Sequence, residues 1–121
     1  MPPNPPGPAT IPAKQLQDLQ DGLSASIQTI LKAYDQCEDP GASATLLQQS
    51  HQLAAQMSAI ETALFHQQTL QATAVVTGAF SAAAGFTAQL KGLEAGLEKV
   101  SDIIGAAAKL IGAVAQILPY L

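Results

Sequence analysis

Apolar side chains recur at alternating steps of four and three residues along most of this chain. The pattern covers Leu46–Leu118 and contains one larger step, of eight residues, between Leu64 and Ala72. No proline lies between Pro40 and Pro119 to interrupt it. Steps of four and three keep apolar side chains on one face of an α-helix, whereas a half-buried β-strand needs a step of two. The pattern therefore predicts an all-α protein, a helical hairpin or bundle built from long heptad-type helices.

A shorter stripe with the same spacing precedes this one and predicts a first helix over about residues 13–36. The segment 37–41, CEDPG, ends that helix because the residue before a proline disfavours the helical conformation and glycine adds freedom. Ser43 is then expected to cap the helical region that follows, over about residues 43–118. The apolar positions of the first helix are Leu16, Leu19, Leu23, Ile27, Ile30 and Tyr34.

The region 43–118 is either one very long helix or a folded pair of helices. We interpret the eight-residue step as a stutter that a continuous helix absorbs by local unwinding. Each glycine weakens a helix by about 1 kcal/mol. A break is therefore expected near Gly78–Gly85 or Lys91–Gly96, within residues 78–96. Residues 13–121 then form a single helical domain.

The N-terminal segment differs from the rest of the chain in its proline content. Residues 2–12 hold six of the eight prolines, so residues 1–12 are expected to form a flexible Pro-rich arm with extended, polyproline-type conformation. The segment lacks the basic and apolar regions of a cleavable signal peptide. We therefore expect a protein that is cytoplasmic, or one that a specialised machine exports and that then associates with a membrane.

Glycines form a second regular pattern beside the apolar stripe. Gly78, Gly85 and Gly92 are seven residues apart, and Gly92 and Gly96 form a GxxxG pair. Glycine in a helix interior destabilises the helix relative to alanine, unless another backbone packs into the space that the missing side chain leaves. Small residues at helical spacing allow helices to approach closely in this way. These four glycines are therefore predicted to form a helix-packing seam, within one chain or between chains.

The large side chains of the second half are predicted to face either lipid or a protein core. No formally charged residue occurs from Thr62 to Leu90, and this span carries only Gln, Thr, Ser and His as polar residues. The charged segment that follows Leu90, residues 91–102, is predicted to be amphipathic, and the last segment, residues 103–121, is more apolar. The residues of this lipid or core stripe are Val76, Phe80, Phe86, Leu90, Leu93, Leu97, Ile104, Ile111, Val114 and Leu118.

Composition argues against several functional classes. The chain has five lysines, no arginine and a net charge of −4, which does not suit nucleic-acid binding. His51 and His66 lie fifteen residues apart without a ligand-spaced partner, so no metal site is expected. No nucleophile–His–Asp framework or phosphate-binding glycine loop occurs. We expect a non-enzymatic protein without a cofactor, in which the single cysteine, Cys37, is an unpaired thiol.

Two functional hypotheses follow from these patterns. In the first, the protein self-assembles and associates with or inserts into a membrane through residues 72–118, in the manner of a pore-forming helical protein. In the second, it is a soluble coiled-coil or bundle module that oligomerises or docks a helical protein partner. A charge-free outer face combined with regularly spaced glycines favours the first hypothesis.

Overall fold

The computed structural model describes residues 10–66, 70–93 and 100–121, and these residues form four α-helices and a short C-terminal 3-10 helix. The described residues contain no β-strand, only an isolated antiparallel bridge between Thr10 and Gln71. The prediction of an all-α protein is confirmed. The helices are α1 (Ala13–Gln36), α2 (Pro40–Phe65), α3 (Ala74–Leu93) and α4 (Val100–Ile117), followed by the 3-10 helix Leu118–Tyr120.

The helices pair as two hairpins that pack against each other as a bundle. The most extensive contacts lie within the hairpins, between α1 and α2 and between α3 and α4. The hairpins meet along two further lines, where α1 contacts α3 and where α2 contacts α4, with a smaller contact between α1 and α4. We call these two lines together the inter-hairpin seam.

One hydrophobic core lies between the helices, and every helix contributes to it. Fully burying a large aliphatic side chain contributes about 1.5–3 kcal/mol, so these residues supply most of the stabilisation. The largest fully buried side chains are Leu23, Ile30, Leu46, Leu53, Ile60, Leu70, Val76, Leu90, Ile103, Leu110, Val114 and Ile117.

The buried face of α4 overlaps only in part with the face expected from the sequence. Val114 is fully buried as expected, but so are Ile103, Leu110 and Ile117, whereas Ile104 and Ile111 are half-buried. The prediction was ambiguous because Ile103, Leu110 and Ile117 are each followed directly by another large apolar residue, so two stripes with the same spacing fit the sequence. The contacts of α4 with α2 and α3 select the earlier one.

The expected helical region 43–118 is divided, and its first break lies at the eight-residue step. α2 ends at Phe65 and α3 begins at Ala74, so the interpretation of this step as a stutter in a continuous helix was wrong. The N-terminal segment holds the connection in place, because the Ile11 N–H donates to the Leu70 carbonyl at 2.7 Å. Thr73 then starts α3 by accepting a hydrogen bond from the Val76 N–H at its Oγ1, at 3.2 Å.

Glycine does not break α3. The helix runs without interruption through Gly78–Gly85, so the break expected there is absent, and it ends at Leu93. The other expected break, Lys91–Gly96, falls partly on residues 94–99, which lie outside the described residues. Residues 1–9 of the expected Pro-rich arm also lie outside them.

The start of α2 lies earlier than expected. Asp39, not Ser43, is the N-cap: its Oδ1 accepts a hydrogen bond from the Gly41 N–H at 3.3 Å, and Pro40 occupies the first helical position. Proline is tolerated there because its missing N–H would have no partner inside the helix. Ser43 lies within α2 instead, and its Oγ donates to the Cys37 carbonyl at 3.4 Å. The CEDPG segment thus ends one helix and begins the next.

Candidate interaction surfaces

The glycines of the predicted packing seam lie on the outside of the bundle. Gly78, Gly85 and Gly92 each lie two positions after a fully buried residue of α3. Two positions correspond to about 200° around the helix, so the glycines lie on the side opposite the core. In the described chain, no atom from elsewhere lies within 4 Å of the position that a Cβ would take at any of them. Gly96 lies outside the described residues. No described contact inside the chain uses this seam.

Helix α4 repeats this arrangement. Gly105 follows the buried Ile103, and Gly112 follows the buried Leu110, again by two positions. Both glycines are exposed, and a Cβ at either would meet no described atom within 4 Å. We use the name outer surface of α3/α4 for the exposed faces of the two helices that carry these five glycines, Gly78, Gly85, Gly92, Gly105 and Gly112.

The charges near this surface are few. Helix α3 has one charged residue, Lys91, and α4 has Asp102 and Lys109; all three are exposed. Val75 adds an apolar side chain that is 52% exposed at the start of α3. An outer face with little charge and little side-chain volume can lie close to another apolar surface at low desolvation cost.

The predicted lipid or core stripe lies toward the core of the bundle. Val76, Leu90 and Val114 are fully buried. Leu97 lies outside the described residues. The remaining members are partly buried and pack against the core, so lipid could contact this stripe only after the helices rearrange. These members are Phe80, Phe86, Leu93, Ile104, Ile111 and Leu118.

Two buried glutamines connect α2 to α4, and sequence reasoning missed them. Gln49 is 6% exposed and Gln56 is 8% exposed. The Gln49 Nε2 donates to the Ile104 carbonyl at 2.9 Å, and the Gln56 Nε2 donates to the Ile111 carbonyl at 3.0 Å. Neither Oε1 has a hydrogen-bond partner among the described residues, although both atoms are buried. Their spacing of seven residues was the available signal, but glutamine is common throughout this chain.

The α1–α3 contact contains a close approach and a cleft. A Cβ at Gly22 would lie 3.1 Å from the Thr87 Cγ2, so the tightest of the described glycine positions is in α1. Beside it, an open cleft of about 400 Å³ has Leu19 and Phe80 among its apolar walls. Gln15, Asp18 and the hydroxyl groups of α3 lie at its edge. Sequence reasoning identified neither feature because both depend on which helices become neighbours.

The turn between α1 and α2 carries the single cysteine. Cys37 is half-buried, and its Sγ donates a weak hydrogen bond to the Asp39 carbonyl at 3.5 Å. Glu38 and Asp39 lie beside it at an open depression of about 490 Å³ that reaches α4 at Ile104. The described residues contain no group of three or more His, Cys, Asp or Glu side chains that could hold a metal ion.

Helix α4 is the most apolar part of the described chain. Val100–Tyr120 has a mean hydropathy of 1.5, and among the described residues it is the one helix long and apolar enough, by length and composition, to cross a membrane. Only 39% of its most apolar window is buried in the bundle.

Comparison of the chain with protein-family models, with curated proteins and with solved structures gives no match.

Proposed function

We propose that this is a non-enzymatic helical protein that self-assembles through the outer surface of α3/α4 and associates with membranes through the same hairpin, residues 72–118. The observation that carries the proposal is the open space at the five outer glycines. Each is less favourable than alanine in a helix by about 1 kcal/mol, and no described contact within the chain uses the space gained.

A second helix that packs at close distance could occupy the open space at these glycines. Glycines spaced seven residues apart keep one line of small side chains along a helix that packs at a heptad-type angle. α3 presents three of these glycines and α4 presents two. We therefore expect a second copy of the chain to pack on this surface with coiled-coil geometry, so that the protein is a homo-oligomer.

Membrane association is supported by the composition of the same hairpin. α4 has the length and hydropathy of a membrane-crossing helix, and α3 has no charged residue before Lys91. Apart from Val75, the large apolar side chains of both helices lie in the core or pack against it. Insertion of the pore-forming kind would therefore require the α3/α4 hairpin to leave α1 and α2 and to turn these side chains toward lipid.

A soluble module that docks a partner helix or oligomerises without a membrane is the second candidate. It is favoured by the complete burial of Val76, Leu90 and Val114, which serve as ordinary core in the closed bundle. In this case the outer surface of α3/α4 would still be the contact surface, but the bundle would never open.

Replacing one outer glycine tests self-assembly. Gly85→Leu places a large side chain where the monomer has open space, so the bundle should fold but the close contact between copies should be lost. Ala55→Leu is the matched control, because Ala55 is exposed on α2. Light scattering should show oligomers for the unmodified protein and for Ala55→Leu, and smaller species for Gly85→Leu. Unchanged oligomers in Gly85→Leu with unchanged helix content would refute this contact surface.

Liposome flotation separates the two candidates. The purified protein, free of detergent, should float with vesicles, and Ala108→Glu on the exposed side of α4 should not, since a charge at the centre of an inserted helix costs about 2.5–3.5 kcal/mol. Ala59→Glu on the exposed side of α2 is the control and should float. A protein that stays at the bottom of the gradient as a defined oligomer is the soluble module.

A further inference from the structure

Each helix–helix contact between the two hairpins is less extensive than the contact inside either hairpin. On the α2–α4 side, Gln49 and Gln56 are more than nine-tenths buried. Each satisfies its Nε2 group with a carbonyl of α4, yet leaves its Oε1 buried without a partner among the described residues. A buried acceptor without a partner has lost its hydration and gained nothing in exchange, so it favours any state in which water can reach it.

The carbonyls that receive these bonds already belong to a helix. Ile104 and Ile111 lie within α4, where each carbonyl also faces the N–H four residues further along. The glutamine bonds therefore hold α2 and α4 in register without completing an unfilled backbone group. Ala63 continues the line of Gln49 and Gln56 by a further seven residues and is 2% exposed.

The α1–α3 side of the same seam is also incomplete. At Gly22, where a Cβ would lie 3.1 Å from the Thr87 Cγ2, the two helices meet through two small groups. The cleft of about 400 Å³ beside it leaves the Phe80 side chain partly exposed. Incomplete packing loses dispersion contacts that a filled interface would gain.

The chain connection inside the α1/α2 hairpin is shorter than the one between the hairpins. α1 and α2 are joined by only three residues, 37–39, whereas eight residues, 66–73, separate α2 from α3. From these observations we infer that the bundle opens along the inter-hairpin seam, with each hairpin intact. The unpaired Oε1 groups of Gln49 and Gln56 bias the α2–α4 contact toward this open state.

Opening of this kind is the conformational step that membrane association of α3/α4 would use, and that part rests on the proposed function. The opening itself is a property of the isolated protein in water. Its test needs no membrane. If thiol labelling shows opening but the protein does not float with liposomes, only the membrane proposal is refuted.

Thiol labelling of a cysteine in the seam measures the opening. The probe is Ala63→Cys in a Cys37→Ser background, labelled with a small thiol reagent at increasing urea concentrations below the unfolding transition. Opening of intact hairpins exposes less surface than global unfolding, so the labelling rate should rise less steeply with urea than the rate of global unfolding does. A urea dependence equal to that of global unfolding would overturn the inference.

Two variants in the probe background test the role of the glutamines in opposite directions. Gln49→Leu with Gln56→Leu removes the buried acceptors and should slow labelling about tenfold, whereas Gln48→Leu with Gln52→Leu, exposed on the same helix, should not change it. Gln56→Glu sets an oxygen against the Ile111 carbonyl and should accelerate labelling about tenfold. Equal labelling rates in the double leucine variant and its control, or no acceleration in Gln56→Glu, would overturn the role assigned to these side chains.

Discussion

The two hairpins of this bundle place their polar and small residues on opposite sides. All of the buried polar side chains found in the described residues lie in the α1/α2 hairpin: Ser26, Thr29, Gln49, Ser50 and Gln56. The same hairpin and its turn carry most of the described charge, with two lysines and six acids between residues 13 and 66. The α3/α4 hairpin has an apolar inner face, and its outer face is lined by glycine.

This difference indicates that the hairpins meet different environments. A charged outer face, as on α1, suits permanent contact with water. An outer face of glycine with little charge gains less from contact with water, and its glycines destabilise the helices that carry them. The α3/α4 hairpin is thus the part of the chain whose outer face is expected to bind a second protein or membrane surface. The α1/α2 hairpin is the part that covers the apolar inner face of α3/α4 in the closed bundle.

The largest expected effect comes from a charge placed on either side of α4. Leu110 is fully buried, so Leu110→Asp should destabilise the bundle by about 3–5 kcal/mol, because the carboxylate has no partner there. Gly112→Asp, two residues further and exposed, should leave the fold intact but weaken self-association. Urea unfolding followed by circular dichroism measures the first effect and light scattering the second. Equal destabilisation by the two substitutions would show that the inner and outer faces of α4 are wrongly assigned.

A smaller effect distinguishes the glycines of the two hairpins. Gly22→Leu should destabilise the bundle by about 1–3 kcal/mol, because the new side chain overlaps Thr87. Gly78→Leu should not destabilise it, because that position in α3 faces open space. Both free energies of unfolding come from urea titration at a protein concentration where the chain is monomeric. A neutral Gly22→Leu would mean that the hairpins are not held close at this point.

The smallest expected effect is a gain in stability. Gly105→Ala should raise the free energy of unfolding of the monomer by about 0.5–1 kcal/mol, through helix propensity alone. The same substitution at Gly22 should gain less, since its Cβ would lie 3.1 Å from Thr87. Thermal unfolding of the two variants compares them directly, and a larger gain at Gly22 than at Gly105 would contradict the difference between the hairpins.

The sequence predicted the all-α fold because the spacing of four and three residues is a property of single helices. It did not predict the break between Phe65 and Ala74, where the connection pairs Leu70 with Ile11, fifty-nine residues away in sequence. It placed the α4 stripe on Ile104 and Ile111 because adjacent apolar pairs allow two registers. Only packing against α2 and α3 decides between them.

Candidate surfaces were predictable to a similar extent. The spacing of Gly78, Gly85 and Gly92 was visible in the sequence, but the side of the bundle that they occupy was not. Gln49 and Gln56 could not be found, because a buried glutamine and an exposed one look the same without the neighbouring helix. Interactions between helices, unlike periodicity within one, require knowledge of which faces meet.

The central claim is that a second copy covers the outer surface of α3/α4, and protection of one position tests it most directly. Ala88→Cys, on the exposed face of α3 one turn from Gly85, and Ala55→Cys, each in a Cys37→Ser background, would be labelled with a maleimide at concentrations where the protein is monomeric and where it is assembled. The account predicts that assembly protects the cysteine at position 88 and leaves the one at position 55 fully reactive. Equal reactivity of position 88 in both states, with assembly verified by light scattering, would contradict it.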